Sequence, residues 1–177
     1  MRSISLAIIL ISFFTFSAPS FASNSNANIN KGNLQAGGSA YLGYSRFSKF
    51  SVGVAPDLQY FVADNLSFGA EFMAAFNSLS SEVAIGPKAA FYFWSSEKWV
   101  ADLALTLLLS RSNIAGHGDS GFSNYFDVIP STALLYFITP TVAFGPTFRI
   151  NVPINQPAYD GSTLISTTVS ARLSVFF

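Results

Sequence analysis

The chain has 177 residues, of which half are hydrophobic and only 10% are charged, with nine basic and nine acidic side chains and no cysteine. Soluble domains carry about 25% charged residues, so this composition argues against a soluble globular domain. The balanced charge, with no basic stripe, excludes nucleic acid as a partner. Without cysteine no disulfide can hold the fold, and a closed, fully hydrogen-bonded barrel in lipid would serve instead.

The first 22 residues have the plan of a secretory signal peptide. Arg2 is basic, residues 6–16 form a short apolar core, and Ser20 and Ala22 are the small residues that a signal peptidase reads. The apolar run is shorter than the roughly 18 to 20 residues that a membrane-spanning helix needs. We therefore expect residues 1–22 to be removed on export, with Ser23 as the first mature residue. Residues 23–32 would then form a polar leader and residues 33–177 one domain.

Eight segments of this domain alternate apolar and polar residues with a period of two, which is typical of strands with one apolar face. In chain order the predicted strands cover residues 33–45, 51–62, 66–76, 82–93, 99–109, 126–138, 141–154 and 162–177. The connections after the second, fourth and sixth strands are turns of about three to five residues. The longest irregular stretch runs from Ser110 to Tyr125 and is rich in Gly, Ser and Asn. This pattern predicts an all-β, eight-stranded antiparallel up-and-down transmembrane β-barrel with its tight turns in the periplasm.

A soluble barrel of the lipocalin type would show the same alternation. Its solvent face would carry Lys, Glu and Asp, whereas the polar face here is mainly Ser, Thr, Gly and Gln with isolated charges. The apolar face also collects aromatic residues near the tight turns, as a membrane-interface girdle does. They are Tyr60, Phe68, Phe91, Phe93, Trp99, Tyr136 and Phe144. Composition therefore favours the membrane barrel.

Four prolines fall well inside predicted strands, where each removes a ladder hydrogen bond. They are Pro56, Pro87, Pro130 and Pro146. Three of them precede an aromatic pair near the end of the strand, namely Tyr60-Phe61, Phe91-Tyr92 and Tyr136-Phe137. We interpret this recurrence as a hairpin-level repeat and predict local β-bulges at the prolines.

Two features carry a resemblance to a known family. One is the turn Tyr60-Phe61-Val62-Ala63-Asp64-Asn65-Leu66-Ser67-Phe68-Gly69, and the other is a strictly alternating last strand that ends on the aromatic Phe177. Both resemble small proteobacterial outer-membrane β-barrel proteins, the group that contains the outer membrane protein A and X type barrels. The resemblance implies an eight-stranded barrel in the outer membrane of a Gram-negative bacterium, surrounded by lipid and lipopolysaccharide. It also implies that Phe177 is an assembly signal for the barrel-assembly machinery.

The polar face carries charges that the predicted register brings into the lumen. A hairpin centred on the turn at Asp64 places Asp57 opposite Glu71, and the next hairpin places Lys88 opposite Glu71 in turn. A lumen of eight strands is just wide enough for side chains to fill it, and unpaired buried charge is costly. We therefore predict a closed lumen with an ion-pair network. Its members are Asp57, Glu71, Lys88, Asp102, Arg149 and Arg172.

No residue pattern points to catalysis, to a metal or to a cofactor. The only histidine, His117, lies in the predicted loop near Asp119, whereas a rigid site is built on strands. This placement also departs from the His-x-Ser arrangement on a strand that is expected of a lipid A deacylase. Two ligands are too few for a metal site, and a substrate could not reach an acid/base pair of Asp57 and Glu71 in a filled barrel.

The predicted role is therefore structural, or one of surface interaction in the cell envelope. The Ser110–Tyr125 loop is the candidate site for an extracellular partner. A small-solute pore and a lipid A-modifying enzyme are the two alternatives.

Overall fold

A computed structural model describes residues 29–45, 49–78, 80–114, 122–154 and 165–177. The predicted signal peptide and the leader up to residue 28 lie outside the described residues. So do His117 and Asp119.

The described chain forms a single closed barrel in which each strand pairs antiparallel with the next and β8 pairs with β1. The strands are β1 (Leu34–Ser45), β2 (Lys49–Ala63), β3 (Leu66–Asn77), β4 (Ser80–Ser95), β5 (Trp99–Ile114), β6 (Phe122–Phe137), β7 (Val142–Pro153) and β8 (Ser166–Phe176). The predicted number, order and direction of the strands are confirmed. Among the described residues there is no helix long and apolar enough to cross a membrane.

Alternation along the strands separates an outer face from a packed lumen. On β3, for example, Phe68 and Phe72 are exposed, whereas Ser67 and Glu71 are buried. Exposed large apolar side chains occur on all eight strands. An apolar surface of this extent on a closed hydrogen-bonded ladder matches the hydrocarbon of a bilayer, and the fold is that of a transmembrane barrel.

The two ends of the barrel are named by their connections. The turn end holds residues 64–65, 96–98 and 138–141 together with Leu34 and Phe177, and the loop end is where β1, β3, β5 and β7 end and β2, β4, β6 and β8 begin. Two connections at the loop end are thus as short as the turns. The longest connection joins β7 to β8, and not β5 to β6 as predicted.

The predicted loop from Ser110 to Tyr125 was wrong at both of its ends. Ser110 pairs with Tyr125, and the β5–β6 ladder continues to the pair Asn113 and Phe122. The sequence suggested a loop because polar residues replace the apolar alternation there. The outward side chains of this part of the hairpin are polar, and Arg111 is exposed there.

The register between β3 and β4 differs from the predicted one by two residues, so that Lys88 faces Gly69 instead of Glu71. The cause is a shorter connection between the two strands. Asn77 Oδ1 accepts a hydrogen bond from the Ser80 N–H at 2.8 Å and closes the hairpin there.

The prediction of β-bulges at the four prolines was also wrong. All four lie on the outer face, and each pairs with a residue of one neighbouring strand. Toward the other neighbouring strand, each proline is one of two consecutive residues without a pairing partner, while the register before and after them is the same. The missing proline N–H is accommodated there. The register shifts occur instead at the turn end, between Phe61 and Ala63 and between Tyr92 and Trp94.

Candidate functional site in the lumen

Six charged side chains from six strands meet in the lumen and form one continuous chain of ion pairs. In order the chain runs Arg149, Glu71, Lys88, Asp57, Arg172, Asp102, with positive and negative groups alternating throughout. All six residues are buried. The structure therefore brings together every charged residue that the sequence placed in this network.

Lys88 links the two acidic residues of the second hairpin. Its Nζ lies 2.9 Å from Glu71 Oε2 and also contacts Asp57 Oδ2. Asp57 and Glu71 are direct cross-strand partners, as predicted. The long lysine side chain reaches Glu71 diagonally, so the two-residue change in register does not break the contact.

Arg172 fixes the closing strand to two distant strands. Its Nη2 lies 3.2 Å from Asp57 Oδ2 on β2, and its Nη1 lies 3.1 Å from Asp102 Oδ2 on β5. Its Nε donates to Ser174 Oγ at 3.2 Å. Gly37 leaves room for this arrangement, because a Cβ at that position would lie 3.2 Å from Asp57 Oδ1 and 2.9 Å from Ser174 Oγ.

Arg149 closes the other end of the chain of ion pairs. Its Nη2 contacts Glu71 Oε1, and its Nη1 donates to Ser39 Oγ at 3.2 Å. β3 and β7 are four strands apart in a ring of eight, so the contact with Glu71 spans the lumen from one wall to the opposite wall. The contact therefore crosses the lumen at the level of the ion pairs.

A neutral polar layer lies between these charges and the turn end. Gln35 Nε2 donates to Ser174 Oγ at 2.9 Å, and Ser67 Oγ donates to Gln59 Oε1 at 2.8 Å. The Tyr92 hydroxyl donates to Gln35 Oε1. Each of these side chains is buried, and the bonds satisfy polar groups that water cannot reach.

An aromatic layer, formed by Phe61, Tyr92, Phe137 and Phe176, fills the lumen at the turn end. Ring centroids are 5.3 Å apart for Phe61 and Tyr92 and 5.4 Å apart for Phe137 and Phe176. These residues come from β2, β4, β6 and β8. Sequence reasoning missed this layer, although a signal was present: each of those strands ends with neighbouring aromatic residues, one pointing outward and one inward.

A second apolar layer closes the lumen toward the loop end. It consists of Ala55, Met73, Ala84, Leu108 and Ile129. Beside this layer, Asp127 is buried opposite Leu108 and accepts a hydrogen bond from Ser110 Oγ at 2.5 Å. Asp127 is a lumen carboxylate that the predicted network did not include.

The arrangement is chemically that of a packed core. Every ionic contact of the six residues is made to another protein group, and apolar layers lie on both sides. Within the described residues, no group of three or more His, Cys, Asp or Glu side chains could hold a metal ion.

No protein-family model and no curated protein sequence matches the chain. Solved structures with a similar fold do exist. Neisserial surface protein A has a TM-score of 0.62 at 23% identity, covering 82% of this chain and 96% of that one. The N-terminal β-barrel domain of OprF from Pseudomonas aeruginosa has a TM-score of 0.63 at 10% identity, covering 83% and 98%. OprG, an outer-membrane protein of Pseudomonas aeruginosa, has a TM-score of 0.54 at 11% identity, covering 87% and 99%.

The fold of this chain is therefore that of the eight-stranded outer-membrane β-barrels. At these identities the likeness concerns the architecture.

Proposed function

We propose that this protein is an integral barrel of the Gram-negative outer membrane with a closed lumen, and that it acts in envelope structure or in surface interaction. The observation that carries this proposal is the wall-to-wall contact of Glu71 with Arg149 inside a barrel whose outer face is apolar. A barrel filled in this way offers its surfaces, not its interior, to other molecules.

The proposed orientation puts the turn end in the periplasm and the loop end outside the cell, as in other outer-membrane barrels. Lipid and lipopolysaccharide would surround the apolar band, and the barrel-assembly machinery would insert the chain. The β5–β6 hairpin carries polar side chains near the loop end, with Arg111, Asn113 and Asn124 exposed on its outer face. This hairpin, rather than a loop from Ser110 to Tyr125, is the proposed contact surface for an extracellular partner.

The two alternative functions have less support. A small-solute pore needs an open path, whereas the lumen holds two apolar layers and the chain of ion pairs. A lipid A-modifying enzyme needs a nucleophile, a base and an acidic partner in contact at the outer rim. The described residues include no histidine that could act as that base, because the single histidine of the chain is His117.

Membrane fractionation tests the proposal. We expect the full chain to sediment with outer-membrane markers, to resist extraction by alkaline carbonate, and to migrate faster on gels before heating than after. A soluble periplasmic location, or extraction by carbonate, would refute it.

A cysteine introduced at Asn113 should react with an impermeant thiol reagent on intact cells, whereas one at Lys98 in the turn end should react only after the outer membrane is opened. The reverse labelling would refute the proposed orientation.

A further inference from the structure

The residues that precede β1 lie along the rim of the barrel at the turn end, from β1 to the β2–β3 turn. We propose that residues 29–33 form a strap that closes the lumen on this side, with the side chain of Ile29 as its stopper. The proposal goes beyond a closed barrel, because it names a separate, displaceable element that shuts one end.

Backbone hydrogen bonds define the path of the strap. Phe61 donates its N–H to the Asn33 carbonyl at 2.9 Å, and Gly32 donates its N–H to the Phe61 carbonyl at 2.9 Å. Gly32 has a φ of +96°, a left-handed conformation that glycine adopts without strain. The chain turns there, and the Asn65 N–H donates to the Ile29 carbonyl at 2.9 Å. The strap thus passes from β1 across the end of β2 to the β2–β3 turn.

The β2–β3 turn, which binds the strap, is also hydrogen-bonded to β4. The Lys31 N–H donates to Asp64 Oδ1 at 2.9 Å, which adds a side-chain fastening to the backbone bonds. Asn65 has a left-handed φ of 64°, and its carbonyl accepts a hydrogen bond from the Tyr92 N–H on β4 at 2.8 Å. The strap is therefore attached to a rigid corner of the barrel.

The side chain of Ile29 is only 3% exposed and belongs to the same apolar cluster as the aromatic layer. Its neighbours Asn30 and Lys31 are exposed. Burial is thus specific to Ile29, whose side chain alone among the strap residues 29–32 enters the barrel. Behind the aromatic layer lie Gln35 and Ser174, both fully buried. Water from the turn end can reach these polar groups only when the Ile29 side chain and the rings of the aromatic layer move apart.

Cysteine accessibility tests this inference cleanly, because the chain has no cysteine of its own. The full chain carrying Ser174→Cys is folded in detergent and treated with a charged methanethiosulfonate reagent. We expect slow labelling with Ile29 intact. With Ile29→Ser added, we expect labelling to be faster by roughly tenfold or more, because the burial of one aliphatic side chain shifts a local opening equilibrium by about that factor.

Two matched controls separate local opening from general loosening. Asn30→Ser changes an exposed side chain of the same strap and should leave the labelling of Ser174→Cys unchanged. A cysteine at Ser110, which is buried opposite Ala84 of the second apolar layer, should react at the same rate with Ile29 or with Ser at position 29. A parallel rise at Ser110→Cys would mean that the whole barrel loosens, and would overturn the strap.

Equal labelling of Ser174→Cys with Ile29 and with Ile29→Ser, in folded protein, would likewise overturn the proposal, because the aromatic layer alone would then close the end. If Ile29→Ser does not fold, Asp64→Ala replaces it, since this variant removes one fastening of the strap and leaves the lumen intact. A rise of about threefold in labelling is then expected, and an unchanged rate is the contradicting result. Neither result bears on whether the barrel lies in the outer membrane.

Discussion

Glu71 on β3 and Arg149 on β7 form an ion pair across the full width of the lumen, although 78 residues separate them in the chain. The two residues meet only because the barrel closes, since β3 and β7 are not neighbouring strands. We therefore expect the contacts inside the lumen to contribute to the free energy of unfolding of the barrel.

The first prediction concerns this pair. We expect a double-mutant cycle of Glu71→Gln and Arg149→Met to give a coupling energy of about 1 to 3 kcal/mol, because the two groups touch in a buried site. Urea unfolding of the refolded barrel, followed by gel mobility, supplies the four free energies of unfolding. A coupling energy near zero would show that the walls do not meet here.

The second prediction concerns Lys88, which separates two carboxylates. Lys88→Met should leave Asp57 and Glu71 close together without their shared cation and lower the free energy of unfolding by about 3 to 5 kcal/mol. Lys98→Met is the matched control, since Lys98 is exposed in a turn. If both variants have the same stability, the ionic chain does not stabilise the barrel.

The third prediction separates stability from assembly at the end of β8. Phe176 is fully buried within the aromatic layer, and Phe176→Ala should cost about 3 to 5 kcal/mol in purified protein. Phe177 is 65% exposed on the outer face, and Phe177→Ala should cost less than about 1 kcal/mol. If Phe177 is the assembly signal, Phe177→Ala should nevertheless lower the yield of folded barrel in cells.

Leu173→Ala, another outward-facing change on β8, is the control for the cellular experiment. The reading is the heat-dependent gel mobility of outer-membrane fractions. If Phe177→Ala and Leu173→Ala give the same folded yield, then the assembly machinery does not read Phe177.

The fourth prediction concerns chemistry. Lipid A mass spectra should be identical in cells with and without the protein, because the described part of the chain holds no catalytic arrangement. Loss of an acyl chain that depends on the protein, and that is restored by His117→Ala, would establish an enzyme instead.

The architecture could be predicted from the sequence because lipid outside and packed side chains inside impose a strict period of two. The predictions were wrong at positions that the period of two does not determine, namely strand ends and the register between strands. At the loop end of the β5–β6 hairpin the outward residues are polar, so the segment beginning at Ser110 and the one ending at Tyr125 do not show the alternation that marks a membrane strand. The β3–β4 register depends on the hydrogen bond between Asn77 and Ser80, which alternation does not encode.

The charged residues of the lumen could be predicted because isolated charges on an inward face must pair with one another, since unpaired buried charge is costly. The aromatic layer could not be recognised in the same way, because Phe61 and Phe176 stand next to outward-facing aromatic residues and carry no charge that would mark an inward position. Ile29 lies before the first strand, so no periodicity reports its burial.

Planar-bilayer recording of the wild-type protein tests the closed lumen most directly. Protein that shows heat-dependent gel mobility is inserted into a lipid bilayer, with a general porin as positive control and unfolded protein as negative control. With opposite walls in contact between two apolar layers, we expect no stable conductance steps of porin size. Repeated, long-lived steps of that size from the folded wild-type protein would contradict the closed lumen.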